Sequence, residues 1–106
     1  MGAGRTITLV GGTPTQSRKK IQSTYFIYNE DSNSVKIGKA QDPIVRLRAL
    51  QTGSVSKLRL LAVIPNDVEK EQHRRWSYLR INPNQEWFTG SPSLLEFIRK
   101  IKKGKS

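Results

Sequence analysis

Two short β-prone runs separated by a block of turn formers constrain this chain more than any other feature. Thr24 to Asn29 reads Thr-Tyr-Phe-Ile-Tyr-Asn, and Ser34 to Lys39 alternates Val35 and Ile37 with Lys36 and Gly38. Between them lies Asn29-Glu30-Asp31-Ser32-Asn33. Aromatic and β-branched residues suit a pleated, half-buried surface, whereas Asn, Asp and Ser suit turns, so the segment is expected to be a β-hairpin with a longer loop.

The punctuation downstream sets the remaining elements. Asp42 before Pro43 is an N-cap with proline at the first helical position, and Gly53 is a stop, so Pro43 to Thr52 is expected to be a helix with Ile44, Leu47 and Leu50 as its buried stripe. Leu58 to Ile64 reads as a buried third strand whose unbroken apolar centre suits the middle of a sheet. After Pro65, Asn66 and Glu69 resemble a capping pair opening a helix of about 14 residues, with Val68, Trp76 and Leu79 inward and Asn82-Pro83-Asn84 as its break. Glu86-Trp87-Phe88 is a short extended element, and Ser91-Pro92 caps a last helix with Leu94, Leu95, Ile98 and Ile101 facing the core. The class expected is α/β of the α+β kind: a small sandwich with a three-stranded antiparallel sheet flanked by about three helices.

A chain of 106 residues supports one such core. The expected organisation is a flexible basic arm over residues 1–23, in which Thr6 to Val10 offers an edge strand, a domain over 24–98 and a basic tail over 99–106. The longest apolar run, Leu60 to Ile64, is far short of the roughly 20 residues a membrane span needs. No leader of signal-peptide type and no cysteine is present, which fits a cytoplasmic protein without disulfides or thiolate metal sites.

The net charge is +11, an excess that favours a polyanionic partner, with nucleic acid the usual one. Nine of those charges lie before Tyr25 or after Ile98, in Arg5, Arg18, Lys19 and Lys20 and in Arg99, Lys100, Lys102, Lys103 and Lys105. Non-specific phosphate attraction therefore belongs to the ends, and specific chemistry to the near-neutral middle.

That middle carries a constellation: Tyr25-Phe26-Ile27, Val35-Lys36-Ile37-Gly38-Lys39, Arg46-Leu47-Arg48-Ala49-Leu50-Gln51-Thr52-Gly53, the Leu58 to Ile64 run, Glu69 to His73, and Glu86-Trp87-Phe88. In order and spacing it resembles the GIY-YIG nuclease superfamily, closest to its phage- and bacterium-type branch, with Lys36 where the second motif usually has tyrosine. The resemblance implies a Mg²⁺-dependent (or Mn²⁺-dependent) DNA endonuclease, one site cutting one strand. The rival reading is a nucleic-acid-binding module of the same fold without catalysis.

Phosphodiester hydrolysis needs an activated water, neutralised phosphate charge and a stabilised leaving oxygen. The resemblance makes Tyr25 the candidate general base. A free phenol is protonated at neutral pH, so a cation must favour its ionised form, and Lys36 on the adjacent strand is the expected one. Arg46 offers a planar fork for two phosphate oxygens. Glu86 is the metal ligand implied, a single carboxylate on a hydrated Mg²⁺. His73 is a secondary catalytic candidate, to relay a proton or touch phosphate, and a zinc site there lacks any second histidine or cysteine. Lys39, Arg48, Arg74, Lys100, Lys102 and Lys103 are the expected DNA contacts. Gly38 reads as structural, a glycine that admits close approach at the end of a strand.

Overall fold

The computed structural model describes residues 21–83 and 85–104. The first twenty residues of the expected arm, with their alternating Thr6 to Val10 segment, lie outside the described residues.

The hairpin forms as β1 (Ser23–Asn29) and β2 (Ser34–Ala40), paired antiparallel from Ser23 opposite Ala40 to Asn29 opposite Ser34. Its turn is fastened by the Asn29 side chain, which accepts the Asp31 N–H at 2.9 Å, and by Asn33 in the left-handed region at φ 50°. α1 (Pro43–Thr52) starts as expected, with Asp42 Oδ1 accepting the N–H groups of Ile44 and Val45 at 3.1 and 3.2 Å. Its exit is tied down by Gln51, whose amide donates to the Ser56 carbonyl and accepts the Leu58 N–H, both at 2.8 Å. The expected stripe is only partly right. Leu47 and Leu50 pack on Tyr25, Ile27 and Leu58, but Ile44 is 47% exposed because the first turn stands clear of that contact.

The sheet has four strands rather than three, in the order β3-β1-β2-β4, where β3 is Leu58–Ile64 and β4 is Trp87–Thr89. The apolar third strand therefore lies at an edge, not in the middle. A register shift explains its composition: Phe26 faces Ala62 but Ile27 faces Leu60, so Leu61 is an extra, bulged residue. Leu58, Leu60 and Val63 consequently join the cluster under α1, while Leu61, Ala62 and Ile64 join the one on the opposite face. The unbroken apolar run reports two covered faces rather than two neighbouring strands.

α2 (Glu69–Arg75) is half the expected length and is followed by a 3₁₀ turn over Ser77–Leu79. Asn66 does not cap it. The buried Thr24 of β1 fixes this corner instead, its Oγ1 donating to the Asn66 carbonyl and accepting the Val68 N–H, both at 2.8 Å. Trp76 is buried, as expected, and its Nε1 donates to Gln72 Oε1 at 3.2 Å. α3 (Pro92–Gly104) buries Leu94 and Ile98 and packs Leu95, Phe97 and Ile101 beside them. It runs on through Arg99 to Lys103, so the cations assigned to a tail are helical.

The core is accordingly two-sided. Phe26, Val35, Ile37, Ala62 and Phe88 meet α3 and Trp76 on one face, and Tyr25, Ile27 and Leu58 meet α1 on the other. No helix among the described residues is long and apolar enough to cross a membrane.

Candidate active site

The register of the hairpin decides where the candidate phenol goes. Tyr25 pairs with Gly38, and a Cβ at that position would collide with the phenolic oxygen and lie 2.6 Å from Cζ. The ring therefore crosses β2 over the one residue there that has no side chain. Tyr25 itself is 1% exposed.

Lys36 projects from the same face of β2 but opposite Ile27, two residues from Gly38 along the strand. Its Nζ lies 3.3 Å from Glu86 Oε1 and 5.6 Å from the centre of the Trp87 ring. Glu86 sits immediately before β4, and its carbonyl accepts the Ile37 N–H at 3.0 Å, which carries the β2–β4 ladder one residue further. In a regular ladder the Ile37 carbonyl would accept from Glu86 in return. Here it is bound to His73 Nε2 at 2.7 Å, so α2 closes the edge of β2 where β4 stops. Arg46 comes from α1, and a groove of about 440 Å³ is lined by Lys36, Arg46, Gln85, Glu86 and Trp87.

Four expected site residues are thus brought together from four elements or their ends: Tyr25, Lys36, Arg46 and Glu86. The electrostatics correct the roles expected of two of them. Burial pushes the Tyr25 phenol above its ordinary range; Arg46, as donor and as charge, pulls the other way, and the Glu86 and Glu69 carboxylates add to the rise. Burial prevails, so Tyr25 is a neutral phenol at pH 7. Its cationic neighbour is Arg46 rather than Lys36, which is drawn along the strand to Glu86.

His73 does not stand free for proton transfer through Nε2. A carbonyl oxygen can only accept, so the ring donates Nε2–H to Ile37. The imidazole also packs on Phe88, with 5.3 Å between ring centres. One turn earlier, Glu69 lies with its Oε2 3.9 Å from that Nε2, and its side chain is only 14% exposed. Burial and the Glu86 charge raise the Glu69 carboxyl above the usual range, against smaller opposing effects of His73 and Lys39. Each of Glu69, His73 and Glu86 offers one ligand atom within 4.8 Å of the others. A donor set of two carboxylates and an imidazole suits a divalent cation, and its oxygens alone suit Mg²⁺.

Glu69 is the site residue that sequence reasoning missed, having been read as a helix cap. Its signal was the four-residue spacing to His73, which stacks both on one helical face.

The expected DNA contacts divide. Lys39 and Arg74 line a second groove of about 360 Å³ with Asp67, Val68, Lys70 and Glu71, and Lys39 Nζ pairs with Asp67 Oδ2 at 3.3 Å. Arg48, two residues from Arg46, points to the far side of α1 and lines neither groove. Lys100, Lys102 and Lys103 belong to α3, across the sheet from α1, where Lys102 lines a groove with Tyr28, Arg59, Leu61, Leu95 and Arg99. They do not converge on Arg46 and Glu86.

Residues 22–103 match the family model described as T5orf172 domain. This corrects the resemblance read from the motifs: the family matched is a different one from the GIY-YIG superfamily. Neither the curated proteins nor the solved structures give a match.

Proposed function

The chain belongs to the T5orf172 domain family, and we propose that its groove hydrolyses phosphodiester bonds in DNA with the help of a divalent cation. The observation that carries this reading is the meeting of Lys36, Arg46 and Glu86 around one groove, with the Tyr25 phenol under the influence of Arg46 and Glu86.

Glu86 would hold Mg²⁺, which when bound supplies charge neutralisation and Lewis acidity at the phosphate. Arg46 clamps two non-bridging phosphate oxygens with its fork and stabilises the charge that grows there. Tyr25, as a fixed phenol, orients the attacking water through its hydroxyl. The water oxygen forms the new P–O bond and gives up its proton to bulk water while the bond to the sugar oxygen breaks. Lys36, held by Glu86 and Trp87, directs its ammonium at the departing oxygen and can give up the proton that oxygen needs. Lys39, Lys70 and Arg74 then hold the flanking backbone.

The test is nicking of supercoiled plasmid by the full chain with Mg²⁺. The expected result is a wild-type rate abolished by Glu86→Gln and Arg46→Ala, with binding retained by both. Salt-sensitive binding without any nicking would make the chain a non-catalytic nucleic-acid module and end the hydrolytic reading.

A further inference from the structure

α1 carries the arginine of the groove, yet it is the one α-helix among the described residues that buries nothing: α2 buries Gln72, and α3 buries Leu94 and Ile98. Leu47 and Leu50 are half-buried against Tyr25, Ile27 and Leu58, while Ile44, Val45, Arg46, Arg48, Ala49 and Thr52 are exposed. The helix thus stands proud of the sheet as a ridge beside Glu86 and Trp87, with which Arg46 lines the groove.

Successive residues of an α-helix turn by about 100°, which sets the order of side chains around this ridge. Val45 and Ala49 form its crest, away from Leu47 and Leu50. Arg46 leaves on one flank and Arg48 on the other, roughly 160° apart around the axis. Val45, 55% exposed, is the apolar point of the crest.

Charge and size decide what covers this face. Arg48 pairs with no carboxylate among the described residues. Asp42, the acid at the start of the helix, is turned back onto the N–H groups of Ile44 and Val45 at 3.1 and 3.2 Å. Two outward guanidinium groups suit a polyanion and disfavour a second copy of a chain that carries +11. A helix with its side chains is about 10–12 Å across, and the major groove of B-DNA is about 12 Å wide, so cations on opposite flanks of such a helix meet the phosphates of both strands.

We propose that α1 enters the major groove of duplex DNA, with Arg46 on one strand, Arg48 on a phosphate of the complementary strand and Val45 against the base edges, where its methyl groups can meet that of thymine. Double-stranded DNA is then the substrate class, and Arg48 is a positioning residue. That the phosphate at Arg46 is the one cut rests on the hydrolytic reading; the docking itself is measured without cleavage.

The probes are a fluorescein-labelled oligonucleotide duplex and its labelled single strand, titrated with the full chain in EDTA and followed by anisotropy. Arg48→Gln should weaken duplex binding about 10-fold and lower the slope of log affinity against log salt by about 0.9, with single-strand binding unchanged. Arg48→Lys, which keeps the charge, should retain the slope. Methyl green, a major-groove ligand, should displace the protein, and distamycin, a minor-groove ligand, should not. Unaltered duplex affinity in Arg48→Gln, equal losses on duplex and single strand, or displacement by distamycin alone would each overturn the docking. So would a dimer in sedimentation that Val45→Asp dissolves, which would give this face to a second copy. The expected binding pattern without nicking would end the hydrolytic reading and leave the docking standing; nicking abolished by Arg46→Ala, with duplex affinity untouched in Arg48→Gln, would do the reverse.

Discussion

At the scale of single residues, the site is organised by what is missing from position 38. Tyr25 occupies the space a side chain would take, so Gly38→Ala forces a buried, rigid ring to move or the strand to bend. Overpacking of this kind costs about 1–3 kcal/mol. Removing the hydroxyl relieves part of the clash, so the double variant Gly38→Ala with Tyr25→Phe should be less destabilised than the two single changes added together. Urea unfolding of the four proteins measures that coupling. The phenol also gives the fold a pH dependence of definite sign. Its folded-state pKa lies above the ordinary value of 10.0. Relative to an unfolded tyrosine it therefore contributes stability that is fully present below about pH 10 and is lost as pH rises through the folded value. Melting temperatures taken across the alkaline range should fall more steeply for wild type than for Tyr25→Phe.

Among the elements, the short β4 and the short α2 share the task of finishing the edge of β2, and His73 is the joint between them. Truncating it in His73→Ala leaves the Ile37 carbonyl without its partner, a loss of about 1–3 kcal/mol. Hydrogen exchange should then quicken at Ile37 and Trp87 while the β1–β2 amides stay protected; uniform quickening would mean that His73 supports the whole fold rather than this corner. The hairpin, the start of α1 at Asp42-Pro43 and the inward face of α3 were legible because each is encoded within a few consecutive residues. The position of β3 was not, because the bulge at Leu61 depends on its partner strand and mixes two faces into one apolar run. The length of α2 was not either, since Thr24, more than forty residues away, fixes its approach. The site was legible as a set of residue types, whereas the pairing of Lys36 with Glu86, the use of His73 as a clamp and the place of Glu69 emerge only when β2, β4 and α2 meet.

On the scale of the molecule, the cations fall into separate groups. Arg46 stands with α1 on one face of the sheet, Lys39, Lys70 and Arg74 line a groove at α2, and Arg99 and Lys102 line another between β3 and α3. DNA bound across the grooves of Arg46 and α2 is expected to lie off the α3 cations. Changing Lys70 and Arg74 to Gln should lower the slope of log affinity against log salt by about 0.9 for each lost contact, and changing Lys100 and Lys102 should leave the slope nearly intact. The most direct measurement is a crystal structure of the full chain with Mn²⁺ and a phosphorothioate oligonucleotide that resists cleavage. A phosphate held by Arg46, with the anomalous peak of the ion on Glu86, is the expected result; an oligonucleotide lying along α3, with no ion and no phosphate between α1 and β4, would contradict it.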